Sequence, residues 1–255
     1  MSHSKTPIAL ITGGSRGLGK NMALHLADQG TDAIVTYRSN KDEAEAVVAA
    51  VEAKDRRAVA LHLDVSDTHS FTAFAEAATN ALSRVWGRTR FDFLVNNAGH
   101  GVHAAIADTT EAQFDELMAA HLKGPFFLTQ KLLPLINDGG RIINISTGLT
   151  RFSFPGYAAY ASMKGGLEVL TQYLAKELGP RQITVNTIAP GAIATDFGGG
   201  AVRDNPQVGG YIASLTALNR VGQPDDIGAA VAMLLAPNNG WINGQRIEVS
   251  GGIFL

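Results

Sequence analysis

Short apolar segments alternate with longer segments of helical periodicity along almost the whole chain, and this alternation constrains the fold more than any other feature. The apolar segments are rich in Ile, Val and Leu without polar alternation, which is typical of strands covered on both faces. Repeated strand–helix–strand units predict a doubly wound α/β fold with one parallel sheet of about seven strands and helices on both faces. The predicted strands are 8–12, 32–37, 58–64, 91–96, 141–146, 183–189 and 246–249.

Helical patterns separate these strands, and no linker, repeat or low-complexity tract interrupts the 255 residues. We therefore predict a single domain over 1–255 that binds the cofactor and carries the catalytic residues. The glycines within 196–219 predict a flexible loop that contributes to the substrate site. The predicted helices are 42–53, 67–86, 111–135, 157–178 and 224–235.

Composition argues against several classes of protein. The formal net charge is -2 and no run of Lys or Arg occurs, so we expect neither nucleic acid nor a membrane surface as a partner. The chain contains no cysteine, which excludes disulfides, thiol catalysis and thiolate metal sites. The first residues lack the pattern of a signal peptide, and no apolar stretch reaches the roughly 18–20 residues of a membrane span. We expect a cytoplasmic protein.

A glycine-rich turn, residues 12–19, follows the first predicted strand and precedes a helical pattern. Glycines at such a turn let the backbone approach a pyrophosphate, and the start of the helix supplies amide donors. The turn therefore predicts a dinucleotide site. Its candidate binding residues are Gly13, Ser15, Arg16, Gly17, Leu18 and Gly19.

The end of the second predicted strand indicates which dinucleotide binds. An NAD site usually has an acidic residue there, whereas this chain has no carboxylate before Asp42. Arg38 can pair with a 2′-phosphate, and Arg16 can bracket the phosphate from the other side. These residues predict NADP(H). Asp64 and Val65, at the end of the third strand, are candidates for contact with the adenine, and the full set here is Tyr37, Arg38, Ser39, Asp64 and Val65.

Tyr160 and Lys164 are four residues apart near the start of a predicted helix, so both project from one face. A phenol is a poor acid or base near neutrality, and we expect the nearby ammonium to lower the pKa of Tyr160. Tyrosine could then protonate an alkoxide formed by hydride transfer to a carbonyl, or accept the alcohol proton in reverse. The pair predicts a metal-free carbonyl reductase or alcohol dehydrogenase.

These motifs, in this order, resemble those of the short-chain dehydrogenase/reductase family. The resemblance extends from Ile8 to Gly252 and includes the turn at 12–19, Asn96-Asn97-Ala98-Gly99, Tyr160-x-x-x-Lys164 and Pro190-Gly191. It implies a Rossmann-like fold and a contact between Lys164 and the nicotinamide ribose. It further implies that Asn97, Ala98, Gly99, Pro190, Gly191, Ile193 and Thr195 line the cofactor.

Two further catalytic candidates follow from the resemblance. The family's substrate-orienting serine usually lies thirteen residues before the tyrosine, where this chain has Thr147, whereas strand alternation should turn Ser146 away. The family's relay asparagine is replaced by His121. His121 is equally compatible with holding the relay water and with a buried structural role.

Several alternatives remain open at this level. A β-ketoacyl acyl-carrier-protein reductase is one, although an acidic carrier needs a basic docking site, and the sequence has Asn137 and Asp138 ahead of Arg141 and offers Arg181 as one cation. A non-catalytic NADP-binding regulator is another, supported only by the His121 change. His100 and His103 more readily border the substrate pocket than bind a metal. The resemblance also implies a homotetramer, in which Phe126, Phe127 and Leu128 could lie at an interface or in the core.

Overall fold

The computed structural model describes residues 6–255, and all seven predicted strands are present in it. Strand β5 begins earlier than predicted, and its register against β4 shifts between Phe91 and Phe93. The strands are β1 Ile8–Ile11, β2 Asp32–Tyr37, β3 Ala58–His62, β4 Phe91–Asn96, β5 Ile136–Ile145, β6 Thr184–Pro190 and β7 Arg246–Val249. They form one parallel sheet in the order β3-β2-β1-β4-β5-β6-β7, which confirms the predicted fold class.

The predicted helices are also present, together with one after the glycine turn. No helix within residues 6–255 has both the length and the apolar character that crossing a bilayer requires. The helices are α1 Gly17–Asp28, α2 Lys41–Glu52, α3 Phe71–Ala81, α4 Glu111–Met118, α5 Gly124–Leu132, α6 Ala158–Leu178, α7 Ala201–Asp204, α8 Pro206–Ser214 and α9 Pro224–Leu235.

Both faces of the sheet are covered because successive strand residues point to opposite sides. On one face, Ile11 packs in a cluster with Leu26 of α1 and Val231 of α9. On the other face, Leu10 packs in a cluster with residues of α3, α5 and α6, including Leu128. The carboxyl ends of the strands remain for the site, and the strand order reverses between β1 and β4, where ligands of such sheets bind.

The long helix predicted over 111–135 is interrupted at its centre. A turn of π-helix, Ala119–Lys123, joins α4 to α5 and contains His121. Gly124 follows, and a Cβ built there would lie 2.2 Å from the Val65 carbonyl oxygen, so the helix approaches the end of β3 more closely than any side chain permits. Extra residues of this kind in a helix re-aim side chains and are frequent at functional sites.

The segment 196–219 differs from the predicted irregular loop, since it contains α7 and α8. Asn205 caps α8 by accepting hydrogen bonds from the backbone N–H groups of Gln207 and Val208, and Pro206 occupies the first helical position. These two signals start a helix despite the cost of Gly209 and Gly210 within it. The flexibility of the segment stays a prediction.

Candidate active site

Three glycines in the turn after β1, Gly13, Gly14 and Gly19, have no room for a side chain. Gly13 and Gly17 have φ angles of 64° and 54°, in the left-handed region that favours glycine. A Cβ built on Gly19 would lie 2.2 Å from the Gly13 carbonyl oxygen. The first turn of α1 therefore packs directly on the backbone of the turn.

The ends of β1 and β4 are joined at the point where the strand order reverses. The Asn97 side-chain amide donates to the carbonyl oxygens of Thr12 at 2.8 Å and Gly13 at 3.2 Å. The Thr12 hydroxyl in turn accepts from the backbone N–H groups of Asn97 and Ala98 at 2.9 and 3.0 Å. These bonds hold the glycine turn against the end of β4, and the contact of Asn97 and Ala98 with a cofactor stays a prediction.

The start of α1 suits an anion. It has no side-chain cap and no acidic residue in its first turn, so its N–H groups and helix dipole are free to meet a phosphate. Arg16 and Arg38 are exposed, and within residues 6–255 neither forms an ion pair. The donors present here therefore fit a dinucleotide that carries both a pyrophosphate and a further phosphate group.

The neighbouring strand ends supply the remaining predicted residues of this half. The Tyr37 ring at the end of β2 packs edge-on against His62, with centroids 5.7 Å apart. Ser39 is exposed beside Arg38. Asp64 and Val65 follow β3, and the Asp64 carboxylate accepts from the backbone N–H of Ser66 at 2.9 Å. These residues share the edge of the sheet with the glycine turn.

The chain after β6 reaches back to the same turn. Gly191 donates its N–H to the end of β7, and Ile193 packs against the core cluster beneath α1. Thr195 is buried, and a Cβ built on Gly17 would lie 3.9 Å from its Cβ. The segment from Pro190 to Thr195 therefore approaches the start of α1. Ser15 lies in the turn before that helix, and Leu18 lies in its first turn.

Tyr160 and Lys164 lie at the start of α6, and both are almost fully buried. The Lys164 ammonium donates to the Ile145 carbonyl oxygen at 2.7 Å and lies 5.7 Å from the centre of the Tyr160 ring. Burial lowers the pKa of Lys164 to about 7 and raises the pKa of Tyr160 above its usual value. The expected lowering of the Tyr160 pKa is therefore wrong for the protein alone, because both groups lose water and favour their neutral forms.

Thr147 and Ser146 point in opposite directions at the end of β5, as strand alternation predicts. The Thr147 side chain is close enough to Tyr160 to lower its pKa, although by less than burial raises it. The Ser146 hydroxyl instead donates to Glu168 at 2.7 Å. Thr147 is therefore the hydroxyl that shares the site with Tyr160.

An ion-pair network behind Thr147 was not predicted from the sequence. The Arg246 guanidinium donates to the Glu168 carboxylate at 3.0 Å and to the Thr147 carbonyl oxygen at 3.2 Å. The Thr150 hydroxyl bridges the same two acceptors at 2.8 and 3.1 Å. Thr147 is thus held through its own backbone by residues from α6 and β7. Its four members lie up to 99 residues apart, and no local motif marks them.

His121 is buried directly against Tyr160. The two rings meet edge to face with centroids 5.0 Å apart, and His121 Nε2 lies 2.7 Å from the His100 carbonyl oxygen. His121 Nδ1 is buried and has no hydrogen-bond partner among residues 6–255. Burial, reinforced by the charge of Lys164, lowers the pKa of His121 to about 2, so the ring is neutral. Gly99 makes room for it, because a Cβ there would lie 2.4 Å from the ring.

The other two histidines of this region border the site. His100 Nε2 lies 3.1 Å from the Glu116 carboxylate, and the His103 ring packs edge-on against Tyr157 with centroids 5.1 Å apart. Among the residues that the structure describes, no group of three His, Asp or Glu is placed to hold a metal ion.

The two arginines considered as a docking site for an acidic carrier protein both interact with other groups of this chain. Arg141 is buried and donates to the carbonyl oxygens of Leu234 and Pro237, and Arg181 pairs with Asp138 at 2.7 Å. Arg141 also lies in the middle of β5, whereas Thr147 follows the end of that strand. Neither residue therefore provides a basic surface beside Tyr160.

Three consecutive residues of α5, Phe126, Phe127 and Leu128, differ in their exposure to solvent. Phe126 and Phe127 are exposed, whereas Leu128 is fully buried in the core. The two phenylalanines are available for contact with a partner surface, whereas Leu128 packs in the hydrophobic core.

Comparison with known proteins agrees with this geometry. A family model described as enoyl-(acyl carrier protein) reductase matches residues 13–253. A solved short-chain dehydrogenase/reductase from Serratia marcescens is 31% identical, with a TM-score of 0.90 and coverage of 99% of this chain and 100% of that one. The chain belongs to the short-chain dehydrogenase/reductase family. It is therefore an oxidoreductase by family.

Two further members of the short-chain dehydrogenase/reductase family differ in their named substrates. The angucycline C-6 ketoreductase LanV, solved with bound NADP, is 35% identical, with a TM-score of 0.93 and coverage of 98% of this chain and 96% of that one. The 3-oxoacyl-[acyl-carrier-protein] reductase of Staphylococcus aureus is 35% identical over 252 residues, which are 98% of this chain and 99% of that protein. Both names describe the reduction of a ketone.

Proposed function

We propose that this protein is an NADP(H)-dependent oxidoreductase that interconverts a carbonyl compound and its secondary alcohol, with Tyr160 as the acid and base. One observation supports this most strongly: the buried Tyr160 hydroxyl lies beside Thr147 and Lys164 at the same sheet edge as the glycine turn. The proposed proton donor and the proposed dinucleotide site would then be neighbours, as hydride transfer to a carbonyl requires.

The cofactor half supports NADP(H) through its free cations. Arg38 would pair with the 2′-phosphate with Arg16 beside it, and the start of α1 would hold the pyrophosphate. Lys164 would hold the nicotinamide ribose. LanV, a relative with a similar fold, contains NADP. The residues proposed to bind the cofactor are Gly13, Ser15, Arg16, Gly17, Leu18, Gly19, Tyr37, Arg38, Ser39, Asp64, Val65, Asn97, Ala98, Gly99, Tyr160, Lys164, Pro190, Gly191, Ile193 and Thr195.

Four side chains perform the proton chemistry in this proposal. Bound NADPH supplies a hydride to the carbonyl carbon. Tyr160 donates its phenolic proton to the carbonyl oxygen, and its raised pKa keeps that proton in place before the reaction. Thr147 donates a second hydrogen bond to the same oxygen. Lys164, with a pKa of about 7, can give a proton back to Tyr160 near neutrality, and the free Nδ1 of His121 can hold a water for this relay.

Two other functions remain as alternatives. A β-ketoacyl acyl-carrier-protein reductase is supported by the Staphylococcus relative, but Arg141 and Arg181 offer it no basic docking surface. A non-catalytic NADP-binding regulator is opposed by the presence of Tyr160, Lys164 and Thr147 together in the site.

The broader setting is proposed on the same basis. The chain would act as one domain on a small molecule in the cytoplasm, with 196–219 closing over the substrate. It would assemble as a homotetramer, and the exposed Phe126 and Phe127 are available for that assembly. Light scattering gives its oligomeric state.

A reduction screen tests the proposed function. The purified protein is mixed with chemically diverse ketones, and the absorbance of NADPH and of NADH is followed in parallel. We expect NADPH consumption with at least one ketone and at least about tenfold lower kcat/KM with NADH, because the two arginines pair with the 2′-phosphate. Tight NADPH binding without consumption for any ketone would instead support the regulator.

A further inference from the structure

Resting on the proposed function, we propose that the substrate is an aryl ketone whose carbonyl belongs to a fused ring system, held beside Tyr160 by Phe197 and Tyr157. Aromatic rings pack against the Tyr160 ring and against Tyr157, three residues before it. The Phe197 and His121 rings lie 5.7 and 5.0 Å from the Tyr160 ring, and His103 packs on Tyr157.

The Phe197 side chain is partly exposed to solvent and lies beside the Tyr160 ring. It is 42% exposed, and the Thr195 hydroxyl accepts a hydrogen bond from its backbone N–H at 3.3 Å. A Cβ built on Gly101 would lie 2.9 Å from the Phe197 ring, so the ring packs directly against the Gly101 backbone. An exposed phenyl ring fixed from two sides has its remaining surface free for a ligand.

Tyr157 forms the second aromatic contact. It lies three residues before Tyr160, so the two side chains share one side of the start of α6, and it packs against the apolar cluster around Tyr160. Its partner His103 lies over Gly156, where a Cβ would approach the imidazole to 2.3 Å. The backbone N–H of Ala104 donates to the Gly156 carbonyl oxygen at 3.0 Å, which joins the two loops.

These contacts select for shape and for a π system. Aromatic side chains bind flat rings by offset stacking and by edge-to-face contact, and rigid rings lose little conformational entropy when bound. Lys164 is buried and donates to the backbone, and Asp196, next to Phe197, is neutralised by an ion pair with Arg203. A flexible or charged substrate would gain little from such walls, whereas a fused-ring ketone would contact them with its full face.

Steady-state kinetics with two ketones tests the proposal. The purified protein and NADPH are assayed with 1-tetralone, a fused-ring aryl ketone, and with ethyl acetoacetate, an open-chain ketone. For Phe197→Ala we expect kcat/KM to fall about tenfold with 1-tetralone, mainly through KM, and by less than about twofold with ethyl acetoacetate. Phe197→Tyr should retain most of the wild-type value because it keeps the ring.

The matched control is Phe114→Ala on α4. Phe114 is exposed to the same extent as Phe197, 42%, and packs on none of the aromatic rings of residues 6–255. This variant should resemble the wild type with both ketones. Equal losses for both ketones in Phe197→Ala, or a wild-type preference for ethyl acetoacetate, would overturn the proposal.

A binding measurement separates this proposal from the proposed function. Quenching of intrinsic fluorescence by 2-naphthol is titrated for the wild type and Phe197→Ala, and we expect about tenfold weaker binding in the variant. Turnover of ketones without Phe197-dependent naphthol binding would reject the aromatic site and keep the reductase. Phe197-dependent naphthol binding without turnover of any ketone would keep the aromatic site and reject the reductase.

Discussion

The two halves of the proposed site consist of different groups. The proposed cofactor half, at the ends of β1 to β3, consists of backbone atoms, glycines such as Gly19 without room for a Cβ, and exposed arginines. The proposed catalytic half, around α6 and the π-helical turn, consists of buried side chains: Tyr160, Lys164 and His121. A backbone site recognises what every dinucleotide shares, whereas a site of buried side chains controls protonation through burial. Substitutions should therefore separate binding from chemistry.

The largest effect is expected at Tyr160. Tyr160→Phe removes the proton donor without changing the packing, so kcat should fall by about 1,000-fold or more while the Kd for NADPH stays within about twofold. Rapid-quench or steady-state kinetics and fluorescence titration measure the two quantities. Tyr173→Phe on the same helix, with 65% of Tyr173 exposed, is the control. Residual turnover above a tenth of the wild-type value would reject Tyr160 as the acid.

The next effect is expected in the glycine turn. Gly19→Ala would place a Cβ 2.2 Å from the Gly13 carbonyl oxygen, so the start of α1 must move and NADPH binding should weaken by about 100-fold. Gly165→Ala on α6 meets nothing within 4 Å and should leave binding unchanged. Calorimetric titration of NADPH into both variants measures this. Equal affinities would show that the backbone half does not hold the pyrophosphate.

A smaller and more selective effect is expected for Arg38. Arg38→Ala removes one charge-assisted contact, so KM for NADPH should rise about thirtyfold while KM for NADH is unchanged. Arg84→Ala, an exposed arginine after α3, is the control. A rise in KM for both cofactors would assign Arg38 a structural role. No rise for either would mean that residues other than Arg38 bind the 2′-phosphate.

The smallest effect concerns the neutral state of His121. Its pKa falls from 6.5 to about 2 on folding, so below pH 6.5 the unfolded chain takes a proton that the folded chain refuses. Folding stability is therefore lost as the pH falls. Between pH 7 and pH 5 the wild type should lose about 2 kcal/mol more of its free energy of unfolding than His121→Asn. Urea unfolding at both pH values measures this, and parallel losses would contradict a buried neutral ring.

The same division explains what the sequence could predict. The sheet, its helices and the glycine turn follow from local patterns, because periodicity and glycine spacing act over a few residues. Tyr160, Lys164 and Thr147 could be placed together because short motifs follow β5 and start α6. The strand alternation that separates Thr147 from Ser146 is equally local and was confirmed.

The remaining features depend on tertiary packing. The contact between Arg246 and Thr147 spans 99 residues, and the contact of His121 with Gly99 depends on the π-helical turn. The direction of the Tyr160 pKa shift depends on burial, which a spacing of four residues does not reveal. Helix α8 contains two glycines that disfavour it, and its cap at Asn205 and Pro206 at its first position favour it, so the balance between them is not set by any one local signal.

The most direct test of the account is a crystal structure with NADP and the alcohol formed from a ketone that the enzyme reduces. The account predicts that the substrate oxygen lies within about 3.2 Å of both the Tyr160 and the Thr147 hydroxyl groups. A substrate oxygen held by other residues, with Tyr160 out of hydrogen-bond reach, would contradict it.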